Sequence, residues 1–189
     1  MRGNQQHRKE DIRKGIVLHW TAGTNQPNNT EYQHYHYLIN KDGLIIKGKF
    51  PVSANNVCRT DAAGHALYAA HCGGGNTGRI GVALCGMAGY KSRQSVGAYP
   101  LTRKQCEAGF KLLAELAKEY KLPITPQTVL THYEFGKANP KTSSAGKIDI
   151  IWLPYTDEEI KKVTQQDVIN NDSFGIFIRN KVKWYYSKI

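Results

Sequence analysis

Two of the seven histidines stand where a shared catalytic site could form. His19 lies near the end of an apolar run over residues 15–20, and His132 directly follows a short run over residues 128–131. Both runs have the β-branched and apolar composition of core strands, and a loop is expected after each histidine. Because zinc sites favour imidazole, two histidines at one edge of a sheet could hold a metal ion. They lie far apart in the chain, however, and no local ligand motif joins them.

The other chemistry-bearing residues give weaker signals. His34 and His36 alternate with tyrosines in a polar, aromatic stretch. Cys72 adjoins His71, but adjacent side chains of an extended chain point to opposite sides, which argues against a nucleophile pair. The glycine run at residues 73–75 precedes a strand and lacks the lysine of a phosphate loop. The four cysteines form no CxxC pair and predict reduced thiols.

Composition limits the kind of protein that can contain these residues. The chain has 189 residues, of which 40% are hydrophobic and 22% charged, and this predicts one globular domain with a real core. No apolar run is long enough for a membrane helix, and the basic segment 1–13 lacks the apolar stretch of a secretory signal. The net charge of +11 favours encounter with polyanions such as nucleic acid, anionic lipid or cell-wall polymers, without choosing among them.

Short strands separated by helices and loops predict a mixed α/β sandwich around the two histidines. A further buried strand is predicted over residues 79–86. The Asp42-Gly43 pair lies between strand-like residues 35–40 and 44–49, which predicts a hairpin. These strands supply the sheet that must carry the site.

One long helix is predicted after the strands. Thr102 and Gln105 have the capping-box spacing, and apolar residues follow at helical intervals. The helix should end just before Pro123, since the residue before a proline avoids the helical region.

Five ordered segments within residues 14–155 carry a family resemblance. They are residues 16–23, 34–43, 71–86, 131–134 and 146–149. Together they resemble the N-acetylmuramoyl-L-alanine amidase type 2 family of zinc amidases, which includes phage endolysins and peptidoglycan recognition proteins. The resemblance implies an α/β fold with a mixed central β-sheet flanked by helices.

The resemblance implies a zinc site made by His19, His132 and Asp149. The family carries Cys or Asp at the third position, and two neutral imidazoles with a carboxylate leave a fourth position for water. Without the resemblance, a solvated loop carboxylate would be the simpler interpretation of Asp149. The chain departs from the family at Ile150, where many members have proline.

The resemblance also implies roles for residues that are not ligands. Lys147 matches a lysine that could stabilise the oxyanion of a tetrahedral intermediate. Tyr35 matches a tyrosine that assists water activation or proton transfer, although a tyrosine packed in the core is the alternative. His71, Asn76 and Thr21 are expected to contact substrate.

The implied activity is zinc-dependent cleavage of the amide between N-acetylmuramic acid and L-alanine in peptidoglycan. We expect a monomeric phage endolysin that stays in the host cytoplasm until a holin-type pore releases it to the periplasm or cell wall. One alternative is a non-catalytic peptidoglycan-binding module, although such relatives lose a zinc ligand. Another is a polymerase or nucleic-acid-binding regulator, suggested by the positive charge, but no nucleic-acid motif is visible and no nucleic-acid partner is expected.

Residues 156–189 lie beyond the resemblance. Residues 157–169 have apolar positions at helical spacing, and the aromatic groups of 174–178 and 184–186 flank basic residues and suggest a short hairpin. One interpretation packs this extension on the amidase domain, because so few elements can hardly form a separate core. The other makes it a basic, aromatic anchor for an anionic envelope surface.

Overall fold

The predicted strands join one mixed sheet in a computed structural model that describes residues 13–189. The predicted basic segment 1–13 therefore falls, apart from Arg13, outside the described residues. The strands are β1 (Gly15–Trp20), β2 (Tyr37–Ile39), β3 (Ile45–Lys47), β4 (Arg79–Leu84) and β5 (Val129–Thr131). The helices are α1 (Asn29–His34), α2 (Arg103–Glu119), α3 (His132–Ala138), α4 (Asp157–Thr164) and α5 (Asn171–Tyr186), with a 3-10 turn at Val52–Asn56. This confirms the mixed sheet flanked by helices.

The strand order β3-β2-β4-β1-β5 decides where the site can form. Strand β1 runs parallel to both of its neighbours, β4 and β5, while β3 alone is antiparallel to its partner β2. The carboxyl ends of β1 and β5 therefore meet at one edge, the usual position of a ligand site in open α/β sheets.

The two faces of β1 are covered by different material. Ile16, Leu18 and Trp20 belong to the main apolar core, which also contains the buried side chains of α2 and α5. Val17 lies on the other face in a small cluster, and His19 shares that face because strand side chains alternate. Burial on both faces explains why the strand has a continuous apolar sequence.

The β2–β3 hairpin is confirmed, but its connection is longer than a two-residue turn. Ile39 pairs with Ile45, which leaves residues 40–44 as the loop. The Asn40 side chain accepts hydrogen bonds from the backbone amides of Asp42 and Leu44, and so organises this loop.

Helix α2 has the predicted start and nearly the predicted end. Thr102 is its N-cap, with the reciprocal side-chain and backbone bonds to Gln105 that define a capping box. The Gln105 amide also donates to the carbonyls of Ile39 and Cys85, which ties the start of the helix to the sheet. The helix ends at Glu119, shortly before Pro123.

The predicted C-terminal hairpin is wrong, because residues 171–186 form the single helix α5. Phe174, Phe177, Ile178 and Val182 follow one another at helical spacing and are buried in the main core. The aromatic content suggested strands, but burial of this stripe against α2 favours a helix. Helix α4 also ends earlier than predicted, at Thr164. Among the described residues, no helix is long and apolar enough to cross a membrane.

Candidate active site

His19, His132 and Asp149 meet at the shared carboxyl edge of β1 and β5. His19 Nδ1 lies 3.0 Å from His132 Nδ1 and 2.9 Å from Asp149 Oδ2, and His132 Nδ1 lies 3.1 Å from the same oxygen. All three residues are buried. Because zinc bonds to such atoms are about 2.0–2.2 Å long, one ion can contact all three at this spacing.

Helix α3 begins at His132, where a loop was expected. Thr131 is the N-cap and forms a capping box with Glu134, so His132 occupies the first helical position with a fixed backbone. The Tyr133 amide donates a 2.6 Å hydrogen bond to the Asp149 carbonyl. The first turn of α3 therefore holds the Asp149 segment beside His132.

His71 orients the ring of His19 by contacting Nε2, the nitrogen that faces away from His132 and Asp149. The backbone carbonyl of Arg79 can only accept, so its contact with His71 Nε2 places the proton on that nitrogen. Burial lowers the pKa of His71, and the neutral ring then accepts at Nδ1 from His19 Nε2, 3.1 Å away. His19 Nδ1 is left with a lone pair facing the other ligands. Gly81 makes room for this arrangement, since a Cβ there would lie 2.4 Å from the His71 ring.

Ser144 orients His132 in the same way. Its hydroxyl donates to the Gly73 carbonyl at 2.8 Å, so it accepts from His132 Nε2, 2.9 Å away. When the ring is neutral, as a metal ligand must be, the lone pair of His132 therefore lies on Nδ1, toward Asp149. Ser144 was not predicted from the sequence, because one serine in a polar loop gives no signal until the fold brings it against the imidazole. Such partners are a usual part of metal sites, since they fix the tautomer of a ligand histidine.

The charges of the cluster favour a cation. Burial lowers the pKa of His19 to about 4, which keeps this imidazole neutral. Burial alone would raise the pKa of Asp149, but the adjacent His132 and His19 rings hold it well below its usual range. Burial is likewise outweighed at His132, where the bond to Asp149 raises the pKa to about 9. In the protein without metal, a proton on His132 therefore balances the carboxylate.

Tyr35 and Lys147 lie around the cluster. Tyr35 ends α1, and the centroids of its ring and the His19 ring are 5.2 Å apart. Burial raises the pKa of its phenol, so the hydroxyl stays protonated. Lys147 is exposed two residues before Asp149. Its charge is close enough to contribute, after burial, to the lowered pKa of His19.

The three residues expected to contact substrate have structural partners. The Thr21 hydroxyl accepts from the amides of Gly23 and Gly86 and joins two loops. The Asn76 side chain accepts from the Cys72 amide and closes the glycine-rich loop. His71 lies behind His19, where both of its ring nitrogens are engaged. The contact of these three residues with substrate stays a prediction.

Comparison with known proteins identifies the family of the chain. The family model for N-acetylmuramoyl-L-alanine amidase matches residues 8–149, most of the chain. The protein is therefore a hydrolytic enzyme with an α/β fold. The chain belongs to the N-acetylmuramoyl-L-alanine amidase family. A search of curated proteins found no match.

Several solved structures are similar to the chain at low identity. N-acetylmuramoyl-L-alanine amidase LysC from Clostridium intestinale is 18% identical, with 80% of this chain and 84% of that chain covered and a TM-score of 0.45. The hydrolase AmiA from Staphylococcus aureus, in complex with its ligand, is 18% identical, with 95% and 78% covered and a TM-score of 0.49. An endolysin of a Thermus scotoductus bacteriophage is 18% identical, with 75% and 88% covered and a TM-score of 0.42.

Proposed function

We propose that this amidase is zinc-dependent and cleaves the amide between the lactyl group of N-acetylmuramic acid and L-alanine. One observation carries the proposal: the ligand atoms of His19, His132 and Asp149 converge within hydrogen-bond distance of one another. The outer nitrogen of each imidazole is held by a separate partner, so both lone pairs are aimed inward. Two neutral imidazoles and one carboxylate match the donors of open catalytic zinc sites.

The residues around the cluster suit amide hydrolysis. His19, His132 and Asp149 would hold the zinc ion, which would supply Lewis-acid chemistry for carbonyl polarisation and water activation. The Lys147 ammonium carries a positive charge beside the cluster and would stabilise the negative charge that develops on the substrate oxygen. The protonated Tyr35 phenol would hold or donate a proton near the leaving amine.

Digestion of purified peptidoglycan tests this proposal. We expect mass spectrometry of the products to show free lactyl ends on N-acetylmuramic acid and peptides with a new amino terminus at L-alanine. A chelator should abolish digestion and added Zn²⁺ should restore it. Full activity in metal-free protein would contradict the zinc mechanism, and binding to sacculi without cleavage would favour the non-catalytic module.

We propose further that the protein acts as a phage endolysin on a thin Gram-negative wall. This rests on the single catalytic domain and on membership of a family that includes phage endolysins. The protein should clear a suspension of outer-membrane-permeabilised cells as well as cleave soluble muropeptides. Cleavage of soluble fragments without lysis of such cells would instead indicate a role in processing wall fragments.

The end of α5 supports a second, smaller proposal, attachment to anionic envelope polymers. Trp184 is 54% exposed, and the ammonium group of Lys188 lies 5.7 Å from its ring centroid. Truncation cannot test this, because α5 is part of the core. We expect Trp184→Ala with Lys188→Ala to weaken sedimentation with cell envelopes while leaving cleavage of soluble fragments intact. Lys161→Ala, at another exposed position, removes the same single charge and is the matched control for charge.

A further inference from the structure

The C-terminal helix contacts the capping box around His132 although it lies outside the family match. The match ends at residue 149, whereas α5 spans residues 171–186. One stripe of α5 packs into the main core, but a second stripe faces α3. Its members are Asp172, Gly175 and Arg179, which are spaced at i, i+3 and i+7 on one side of the helix.

Arg179 makes a two-pronged ion pair with Glu134 of α3. Its Nη1 donates to Glu134 Oε2 at 2.9 Å, and its Nη2 lies 2.9 Å from Oε1. The same Nη1 also contacts the Val129 carbonyl of β5, at 3.2 Å. Only 9% of the Arg179 side chain and 15% of the Glu134 side chain is exposed. A bidentate pair with so little solvent fixes the carboxylate in orientation as well as in position.

The Glu134 carboxylate is also half of the capping box around His132. Its Oε2 accepts from the Thr131 amide at 2.9 Å, and the Thr131 hydroxyl accepts from the Glu134 amide at 3.1 Å. His132 lies between these two residues, so the box sets the direction in which it leaves the strand. A shift in the position of the Glu134 carboxylate should therefore also shift His132, because both lie in the first turn of α3.

Gly175 fits this arrangement closely. A Cβ at this position would lie 2.1 Å from Glu134 Oε1 and would displace the carboxylate. The backbone of α5 thus supports the carboxylate from one side while the Arg179 guanidinium holds it from another. The remaining contact of the stripe, between Asp172 and Lys137 at 2.7 Å, is exposed and does not touch the capping box.

We infer that Arg179 is a positioning residue for the metal ligand His132, acting through Glu134, so that the C-terminal helix completes the metal centre. The inference rests on the proposed function, since it concerns the zinc ligands proposed there. It also assigns the extension a task in the site that neither the family match nor the ligand triad implies.

Zinc affinity of the full-length protein tests the inference. Arg179→Met should raise the zinc Kd about 10-fold, the lower end of the cost of losing a direct partner of a metal ligand, because Arg179 acts on His132 through Glu134. Asp172→Asn is the matched control, because it breaks the exposed pair between the same two helices; it should leave Kd within about twofold. Competition with a fluorescent chelator measures Kd, and the absorption spectrum of Co²⁺-loaded protein reports the ligand geometry, which Arg179→Met should alter.

A merely structural role predicts a different result. Arg179→Met would then lower the melting temperature of the metal-free and zinc-loaded proteins equally, with unchanged Kd and Co²⁺ spectrum, and this would overturn the inference. If Arg179→Met does not fold, Arg179→Lys tests the inference instead, since it keeps the positive charge but loses one of the two hydrogen bonds to Glu134. Its Kd should lie between those of the wild type and a ligand variant, and a wild-type Kd would overturn the inference. If the wild-type protein binds no zinc, the proposed metal centre is wrong. This result differs from an unchanged Kd in the Arg179 variants, which would contradict only the role of Arg179.

Discussion

The two faces of the central sheet are both buried, but they perform different tasks. The face toward α2 and α5 is apolar and contains Leu18, Phe110 and Phe177. The opposite face holds the buried imidazoles of His19 and His71, whose nitrogens have defined hydrogen-bond partners. Apolar packing is non-directional, whereas every buried polar nitrogen needs a partner in the right direction. Burial therefore supplies stability on one face and orientation on the other.

Removal of a ligand should have the largest effect on the polar face. His19→Ala deletes one of three ligand atoms in the cluster, so we expect the purified variant to retain no zinc and to have no amidase activity. Elemental analysis and digestion of peptidoglycan measure the two losses. Circular dichroism should still show a folded protein, and an active, zinc-loaded variant would contradict the assignment.

The apolar face should show the opposite pattern. Phe177→Ala removes a fully buried ring between α5 and the core, which costs about 3–5 kcal/mol of unfolding free energy. Denaturant unfolding measures this loss. Zinc content per folded chain should remain at the wild-type level, and loss of zinc from folded protein would show that the two faces are not separable.

Residues beside the ligands should affect turnover without affecting the metal. Lys147→Ala should lower kcat about 10²- to 10³-fold, as expected for loss of one group that stabilises an oxyanion. Tyr35→Phe should lower kcat while retaining the ring packing on His19. Both variants should keep about one zinc per chain. Loss of zinc from either variant would show that the replaced residue helps to hold the metal and that its assigned role is wrong.

The buried imidazoles should make stability depend on pH. Burial lowers the pKa of His36 to about 4, from its ordinary 6.5, so between these values the unfolded chain binds a proton that the folded chain does not. The unfolding free energy should therefore be highest above pH 6.5 and fall by up to about 3 kcal/mol as the pH drops toward 4.

The variant His36→Gln should remove the His36 share of this dependence, and so make it shallower, in denaturant titrations at several pH values. His34 is exposed on the adjacent helix, so His34→Gln is the control and should leave the dependence unchanged. Equal slopes for the wild type and His36→Gln would show that His36 does not titrate as described.

The smallest expected effect concerns the orientation of a ligand. Ser144→Ala leaves His132 Nε2 without its acceptor, and we expect a 10- to 100-fold weaker zinc affinity. Ser143→Ala, at the exposed neighbouring position, is the matched control and should not change affinity. Equal affinities for the two variants would remove Ser144 from the metal centre.

Much of the sheet and helix framework could be predicted from local sequence. The apolar run of β1 gave its observed bounds, Gly15–Trp20, and the capping box at Thr102 gave the observed start of α2. Both succeed because periodicity and capping are properties of neighbouring residues. The prediction that His19, His132 and Asp149 converge came from the family resemblance. Local patterns could not give it, because the three residues lie far apart in the chain.

The sequence by itself determined which stretches could be strands or capped helices, and the charge and thiol content of the chain. Tertiary structure alone decided that residues 171–186 form a helix rather than a hairpin, because only packing against α2 selects between the two. It also decided the partners of the imidazoles: His71 behind His19, Ser144 behind His132, and Arg179 behind the capping box. These contacts join residues distant in sequence, and the direction of a hydrogen bond exists only once the fold has placed donor and acceptor.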